Sequence, residues 1–370
     1  MPRPRPEILH TPAAMHGGQA ALSSTAPSPM ASSPMALPPI ATIDFSVCLN
    51  AFGPAANVRA AIAACAVDEY PDPTSRAARA AAATHWHRPI EEIVLGAGSV
   101  ELIQATCFAY VRPGDAVLVA TPCFAEYARA AALCGATVKS STSLDELRRQ
   151  IEPGVRMVFV ASPSSPMGLQ MSPSVLHDLA DACAAVDALL MLDQAYDGFT
   201  AQPLGTPALA GHAHVVHLRS MTKEHAIANV RVAFAIAPPD VTEAIERARV
   251  PWAASGAAQA AAIAALSSEA RAHAHTTTTR LRNEAARIRH ALMEQDFEVP
   301  PSDTHYLLVS CGDATRVRNW LLEHHGLLVR DGTSFGLASQ VRIAARRPEE
   351  NDTLIDAFAH LRSTLMTSQP

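Results

Sequence analysis

The sequence is short of charge, of aromatic rings and of long apolar runs, and each shortage narrows what the chain can do. Only 17% of the residues are charged, and 29 Lys and Arg against 35 Asp and Glu leave a net charge of −6. That balance offers no basic face of the kind that nucleic acid or an anionic membrane requires. No stretch approaches the roughly 20 apolar residues of a bilayer span, and the N-terminus lacks the unbroken apolar segment of a secretory leader. The seven cysteines, Cys48, Cys65, Cys107, Cys123, Cys134, Cys183 and Cys311, include no Cys-x-x-Cys pair. This argues against a disulfide framework or a zinc knuckle and fits a reducing, cytoplasmic setting.

With 49% hydrophobic residues in 370, the chain can bury a large core. The length suits one large domain with a smaller one attached. Residues 1–40 are rich in Pro, Ala, Ser and Met with little periodicity, and read as a flexible arm, with Met15, Met30 and Met35 as alternative starts. In a dimer such an arm could lie across the partner subunit.

From residue 58 to 67 and from 76 to 84, Ala-rich segments predict helices on either side of the turn-like Tyr70-Pro71-Asp72-Pro73. Ile93-Val94-Leu95 is a short apolar strand running into Gly96-Ala97-Gly98-Ser99, and residues 100–111 then take helical spacing. Further apolar strands are expected at 117–119, 157–160, 189–192 and 215–218, with helices near 124–134 and 173–186. Such alternation implies an α/β fold with a mostly parallel sheet covered on both faces. After Pro251-Trp252 a single long helix is expected over 256–294, followed by a strand at 306–309, a helix at 314–325 and a strand at 341–344. These form a smaller α+β unit. The division expected is an arm at 1–40, a joining segment at 41–69, a large domain at 70–255 and a linking helix with a small domain at 256–370.

In an open parallel sheet, ligands bind beyond the carboxyl ends of the strands, so the residues just after each strand deserve inspection. Asp193 follows one strand at once, with Tyr196 three residues on; Ser220 and Lys223 follow the next, and Arg231 lies eight beyond the lysine. Together they match the demands of pyridoxal phosphate. Lys223 would hold its aldehyde as a Schiff base. Asp193 would keep the ring nitrogen protonated, and Tyr196 could reach the ring oxygen. Gly98, Ser99, Ser220 and Arg231 could jointly hold the phosphate at a helix N-terminus, while Phe124 could cover the ring. Taken singly each has a plainer reading: a tight turn, a helix cap, a surface lysine, a sheet-edge arginine. Order and spacing after successive strands raise the case. His212, His214 and His217 lack a carboxylate or cysteine at ligand spacing and read as strand alternation, so no metal is expected.

Ser220-Met221-Thr222-Lys223 through Arg231, and Asp193-Gln194-Ala195-Tyr196, resemble the Schiff-base segment and the Asp-Glu-Ala-Tyr box of the fold-type I aminotransferases. The likeness is to the branch of histidinol-phosphate aminotransferase and threonine-phosphate decarboxylase, over roughly residues 43–362. It implies a seven-stranded-type sheet in the large domain, pyridoxal 5'-phosphate as cofactor, amino acid and 2-oxo acid substrates, and a homodimer in which Tyr70 reaches the neighbouring phosphate. It further implies a substrate pocket of Arg342, Arg330, Asn50 and His305, and ring contacts from Phe124 and Ser165. Several positions depart from the branch: Ser165, Cys48, Ser255 and His305 stand where asparagine is usual, and Ala51 where proline is. The shorter hydroxyl of Ser165 donates only one hydrogen bond. Transamination is the expected outcome; decarboxylation, cyclisation or elimination on the same cofactor is the alternative, and a silent binding protein on the same fold is a third reading.

Overall fold

The computed structural model describes residues 4–16, 43–205, 209 and 211–366. Most of the expected arm, including Met30 and Met35, lies outside the described residues. Its first part is not without structure: Pro6–His10 forms one helical turn, and Arg5 donates to the Leu133 carbonyl at 3.4 Å.

Twelve strands are described: β1 (Ile43–Asp44), β2 (Ile93–Gly96), β3 (Ala116–Ala120), β4 (Thr137–Ser141), β5 (Val155–Ala161), β6 (Leu189–Asp193), β7 (Val215–Ser220), β8 (Ala233–Ile236), β9 (Tyr306–Ser310), β10 (Leu327–Leu328), β11 (Arg330–Asp331) and β12 (Gln340–Ala344). Seven form one sheet in the order β2-β8-β7-β6-β5-β3-β4. Only β8 runs against the rest, pairing antiparallel with both β2 and β7.

The strands alternate their side chains between two apolar layers. Val117, Val119, Met157, Phe159, Met191, Val216 and Leu218 meet Leu102, Ile103, Val241 and Ile245 on one face. Leu118, Val158, Val160, Leu190 and Leu192 meet Leu176, Leu179 and Leu147 on the other. Every residue of β6 is buried, as a strand covered on both faces requires. β4, by contrast, reads Thr-Val-Lys-Ser-Ser and is mostly exposed at the sheet edge. Its composition hides it from an apolar-run reading, whereas β8, Ala233-Phe234-Ala235-Ile236, is buried throughout and lies in an apolar run after Arg231 that sequence reasoning passed over.

The helix expected over 256–294 is two helices, Gly256–Ala265 and Ser268–Glu294. Ser267 causes the break, because its hydroxyl accepts from the Ala270 N–H at 3.2 Å and starts a new helix. The second helix is about 40 Å long at 1.5 Å per residue and reaches from the large sheet to the small one. The small unit has the antiparallel order β11-β12-β9, and β1 pairs in parallel with β10. Phe45, Val309, Ile343, Leu354 and Phe358 share its core, so the segment that leads into the large sheet begins inside the small unit.

Candidate active site

The carboxyl ends of β2, β3, β5, β6 and β7 open on one side, where the small unit also presents β11 and β12. Asp193 closes β6 and is 6% exposed. Its Oδ2 accepts from the Tyr127 hydroxyl at 2.6 Å and its Oδ1 from the Ala195 N–H at 2.8 Å. Burial pushes the carboxyl above the usual carboxylate range; the Tyr127 and Ala195 donors and the charges of Lys223 and Arg219 oppose that rise.

Lys223 lies in the turn after β7, and its carbonyl accepts from the Asn50 N–H at 3.0 Å. Burial lowers its amine below the ordinary lysine value, Cys48 and Asp193 pull it back up, and Arg231 and Arg342 lower it again. An amine so placed is more readily found as a free nucleophile.

Gly98 caps the helix Ser99–Tyr110 with φ of +89°, a conformation that favours glycine. A Cβ added there would lie 2.5 Å from Arg231 Nη2. The guanidinium is therefore held over the start of a helix whose first N–H groups point outward, a ready anion site. Beside it, the Ser220 and Thr222 hydroxyls are 2.8 Å apart. Phe124 follows β3 and meets Tyr127 edge-on at 5.6 Å and the His16 ring at 5.7 Å.

On the small-unit side, Arg330 and Arg342 are direct cross-strand partners in β11 and β12. They are 8% and 6% exposed, and Nε of each has no hydrogen-bond partner. Arg342 donates to Ser165 Oγ at 3.0 Å and to the Ser46 carbonyl at 2.8 Å; Arg330 donates to Ser334 Oγ and the Met15 carbonyl, both at 2.8 Å. Among the described residues the hydrogen-bond partners of both are neutral oxygens. Burial, and the neighbouring Arg342, lower the pKa of Arg330.

Several expected contacts are already spent elsewhere. Asn50 is 3% exposed and gives its amide to the Glu224 carbonyl at 2.8 Å and Thr277 Oγ1 at 2.7 Å. Its oxygen takes the Phe52 N–H at 3.1 Å, so Asn50 braces the lysine turn. His305 is fully buried and stacked on Phe199, centroids 3.8 Å apart, with neither ring nitrogen bonded. Burial and Arg342 hold its pKa down to about 3, so it serves as a neutral packing ring. The Ser165 hydroxyl is engaged by Arg342. Ser255 caps the helix Gly256–Ala265 by accepting from the Ala258 N–H at 3.1 Å, a task that serine performs as well as asparagine. Tyr196 is tucked against Tyr306 at 4.9 Å. Tyr70 is 85% exposed and packs on Trp252 at 5.2 Å.

Sequence reasoning passed over Tyr127, three residues after Phe124, and Asp197, just after Tyr196. Asp197 is fully buried, pairs with Arg219 at 2.7 Å, and takes the Leu204 and Gly205 N–H groups at 2.8 and 2.9 Å. A polar residue within a few positions of each motif is a local cue, but its partner lies far along the chain.

The open helix start beneath Arg231, the softened amine of Lys223 and the buried acid of Asp193 fit a planar, phosphorylated aldehyde. Fold and site together define a pyridoxal-phosphate enzyme. Residues 43–358 match the family described as aminotransferase class I and II, and the chain belongs to it. It is 31% identical to the histidinol-phosphate aminotransferase of Geobacillus thermodenitrificans, over 84% of this chain and 88% of that one. It is 32% identical to the aromatic amino acid aminotransferase of Thermobifida fusca, over 82% of this chain and 86% of that one. Among solved structures, histidinol-phosphate aminotransferase from Sinorhizobium meliloti in complex with pyridoxal-5'-phosphate superposes with a TM-score of 0.80 at 24% identity, covering 86% of this chain and 90% of that one. That likeness supports the fold.

Proposed function

We propose that this aminotransferase moves an amino group between a donor that carries a strongly anionic group and a 2-oxo acid, with Lys223 as the reacting amine. The observation that carries the reading is the meeting of Lys223 and Asp193 from the ends of neighbouring strands β7 and β6, within each other's electrostatic reach. When bound, pyridoxal phosphate supplies an aldehyde that captures the substrate amine and a ring that draws off the electrons released at Cα. Asp193 holds a proton at the ring nitrogen. Lys223 would serve as general base and acid, moving the proton between the substrate Cα and the carbon that was the cofactor's aldehyde. Gly98, Ser99, Ser220 and Arg231 would bind the phosphate, Phe124 would cover the ring, and Tyr196 and Ser165 would serve its oxygen.

Arg342 and Arg330 set the substrate class. Two buried guanidiniums side by side, without an acidic ion-pair partner among the described residues, form a receptor for carboxylate or phosphate oxygens. Val67, Tyr70, Val250 and Trp252, 95%, 85%, 71% and 47% exposed, make an apolar surface that supports a homodimer, with Tyr70 serving the partner's site. Among the described residues no helix is long and apolar enough to cross a membrane. All seven cysteines are free, which supports a cytoplasmic setting.

The test is product analysis with mass spectrometry. Incubation of holoenzyme with an anionic amino donor and a 2-oxo acid is expected to yield a new amino acid. Borohydride is expected to fix the cofactor on the peptide containing Lys223, and Lys223→Ala to lose about a thousandfold in turnover. Release of carbon dioxide without a new amino acid would replace transamination by decarboxylation; retention of activity in Lys223→Ala would end the assignment of the amine. Light scattering that finds a single chain in solution would end the dimer.

A further inference from the structure

Tyr127 has no part in that mechanism, yet its hydroxyl touches the acid on which the mechanism depends. It is the second residue of the helix Glu126–Leu133 and is 2% exposed. Three contacts fix it. The hydroxyl donates to Asp193 Oδ2 at 2.6 Å; the ring lies parallel to Phe159 of β5, centroids 5.1 Å apart at 10°; and Phe124 meets it edge-on at 5.6 Å and 80°.

The consequences follow from geometry. With Ala195 N–H on Oδ1 and Tyr127 on Oδ2, each carboxylate oxygen has one donor, and rotation about the Cβ–Cγ bond breaks both bonds. Burial and the adjacent acid hold the phenol well above its ordinary pKa, so it stays a neutral donor and stabilises only the ionised form of Asp193. The Phe159 stack prevents the phenol from swinging away. The same ring backs Phe124, the residue assigned to the cofactor face.

We propose that Tyr127 is a positioning residue: it keeps Asp193 ionised and rotationally fixed for the ring nitrogen of the cofactor, and it steadies Phe124 with the same ring. This rests on the assignment of Asp193 to the ring nitrogen. A phenylalanine at this position would keep both ring contacts and lose only the donor, leaving Oδ2 of a buried carboxylate short of a hydrogen bond.

The experiment compares binding of pyridoxal phosphate, and of its analogue with carbon in place of the ring nitrogen, to apoenzyme by fluorescence titration across pH. Wild type, Tyr127→Phe and Asp193→Asn are measured, with thermal melting as a check on folding. Tyr127→Phe is expected to bind pyridoxal phosphate roughly tenfold more weakly. Its acid-side loss of binding is expected to start at higher pH, because the carboxyl protonates sooner without the donor. Its affinity for the analogue is expected to match wild type. In Asp193→Asn, adding Tyr127→Phe is expected to change nothing further. Equal weakening toward cofactor and analogue would reduce Tyr127 to packing and overturn the proposal, as would unchanged binding of pyridoxal phosphate. If Asp193→Asn itself binds cofactor and analogue with wild-type affinities, the parent assignment of Asp193 fails and takes this inference with it.

Discussion

The two walls of the site are built on opposite electrostatic plans. On the large-sheet wall every buried charge has company: Asp193 has two donors and Lys223 nearby, and Asp197 has Arg219 and two backbone N–H groups. On the small-unit wall Arg330 and Arg342 face each other across β11 and β12 with only neutral oxygens as hydrogen-bond partners. Burying like charges together is costly. The first wall balances these charges within itself, whereas the second has no such balance from hydrogen-bonded groups among the described residues.

Substitutions can break that contrast. Arg342→Leu should lower kcat/KM for an anionic amino donor by about a thousandfold, near 4 kcal/mol. The same change should leave the melting temperature close to that of wild type, the loss of the bonds to Ser165 Oγ and the Ser46 carbonyl being offset by removal of a buried cation. A fall in melting temperature would show that Arg342 is structural. Asp197→Ala should do the reverse, costing about 3 kcal/mol of stability by denaturant unfolding, since it strands Arg219 and two N–H groups.

Acid sharpens the comparison with one probe in each wall. Burial holds the pKa of His217 in β7 down to about 4 and that of His305 down to about 3, against an ordinary 6.5. Between 6.5 and 4 the unfolded chain binds protons that the folded chain refuses, so stability must fall as pH drops through this window. Each histidine should contribute about 2 kcal/mol of that loss by pH 5. His305→Asn should remove its own share and leave that of His217, measurable as a shallower dependence of the unfolding midpoint on pH. The smallest effect is expected at Gly98→Ala: the strained φ and the encounter with Arg231 should weaken pyridoxal phosphate binding about tenfold in a cofactor titration.

Much of the frame was legible because buried parallel strands are written as short apolar runs. β2, β3, β5, β6 and β7 all lie where such runs predict strands, and the residues that follow them line one opening. What escaped was written in another form. β4 is a polar edge strand, and the helix break at Ser267 is one serine in an otherwise uniform helical stretch. At the site, the types and order of Gly98, Asp193, Tyr196, Lys223 and Arg231 could be read directly. The commitments of Asn50 and His305 could not, because their partners Thr277, Glu224 and Phe199 lie far along the chain.

By itself, then, the sequence determined the alternation of elements and the chemical groups at the strand ends, since hydrophobic period and residue type act locally. Only the tertiary structure decided which groups remain open to a ligand. The Tyr127 hydroxyl joins Asp193 across 66 residues, and Arg342 joins Ser165 across 177. Whether a polar atom is spent on the protein or left for a substrate depends on the partners that packing brings within hydrogen-bond reach, and chain spacing carries no record of them.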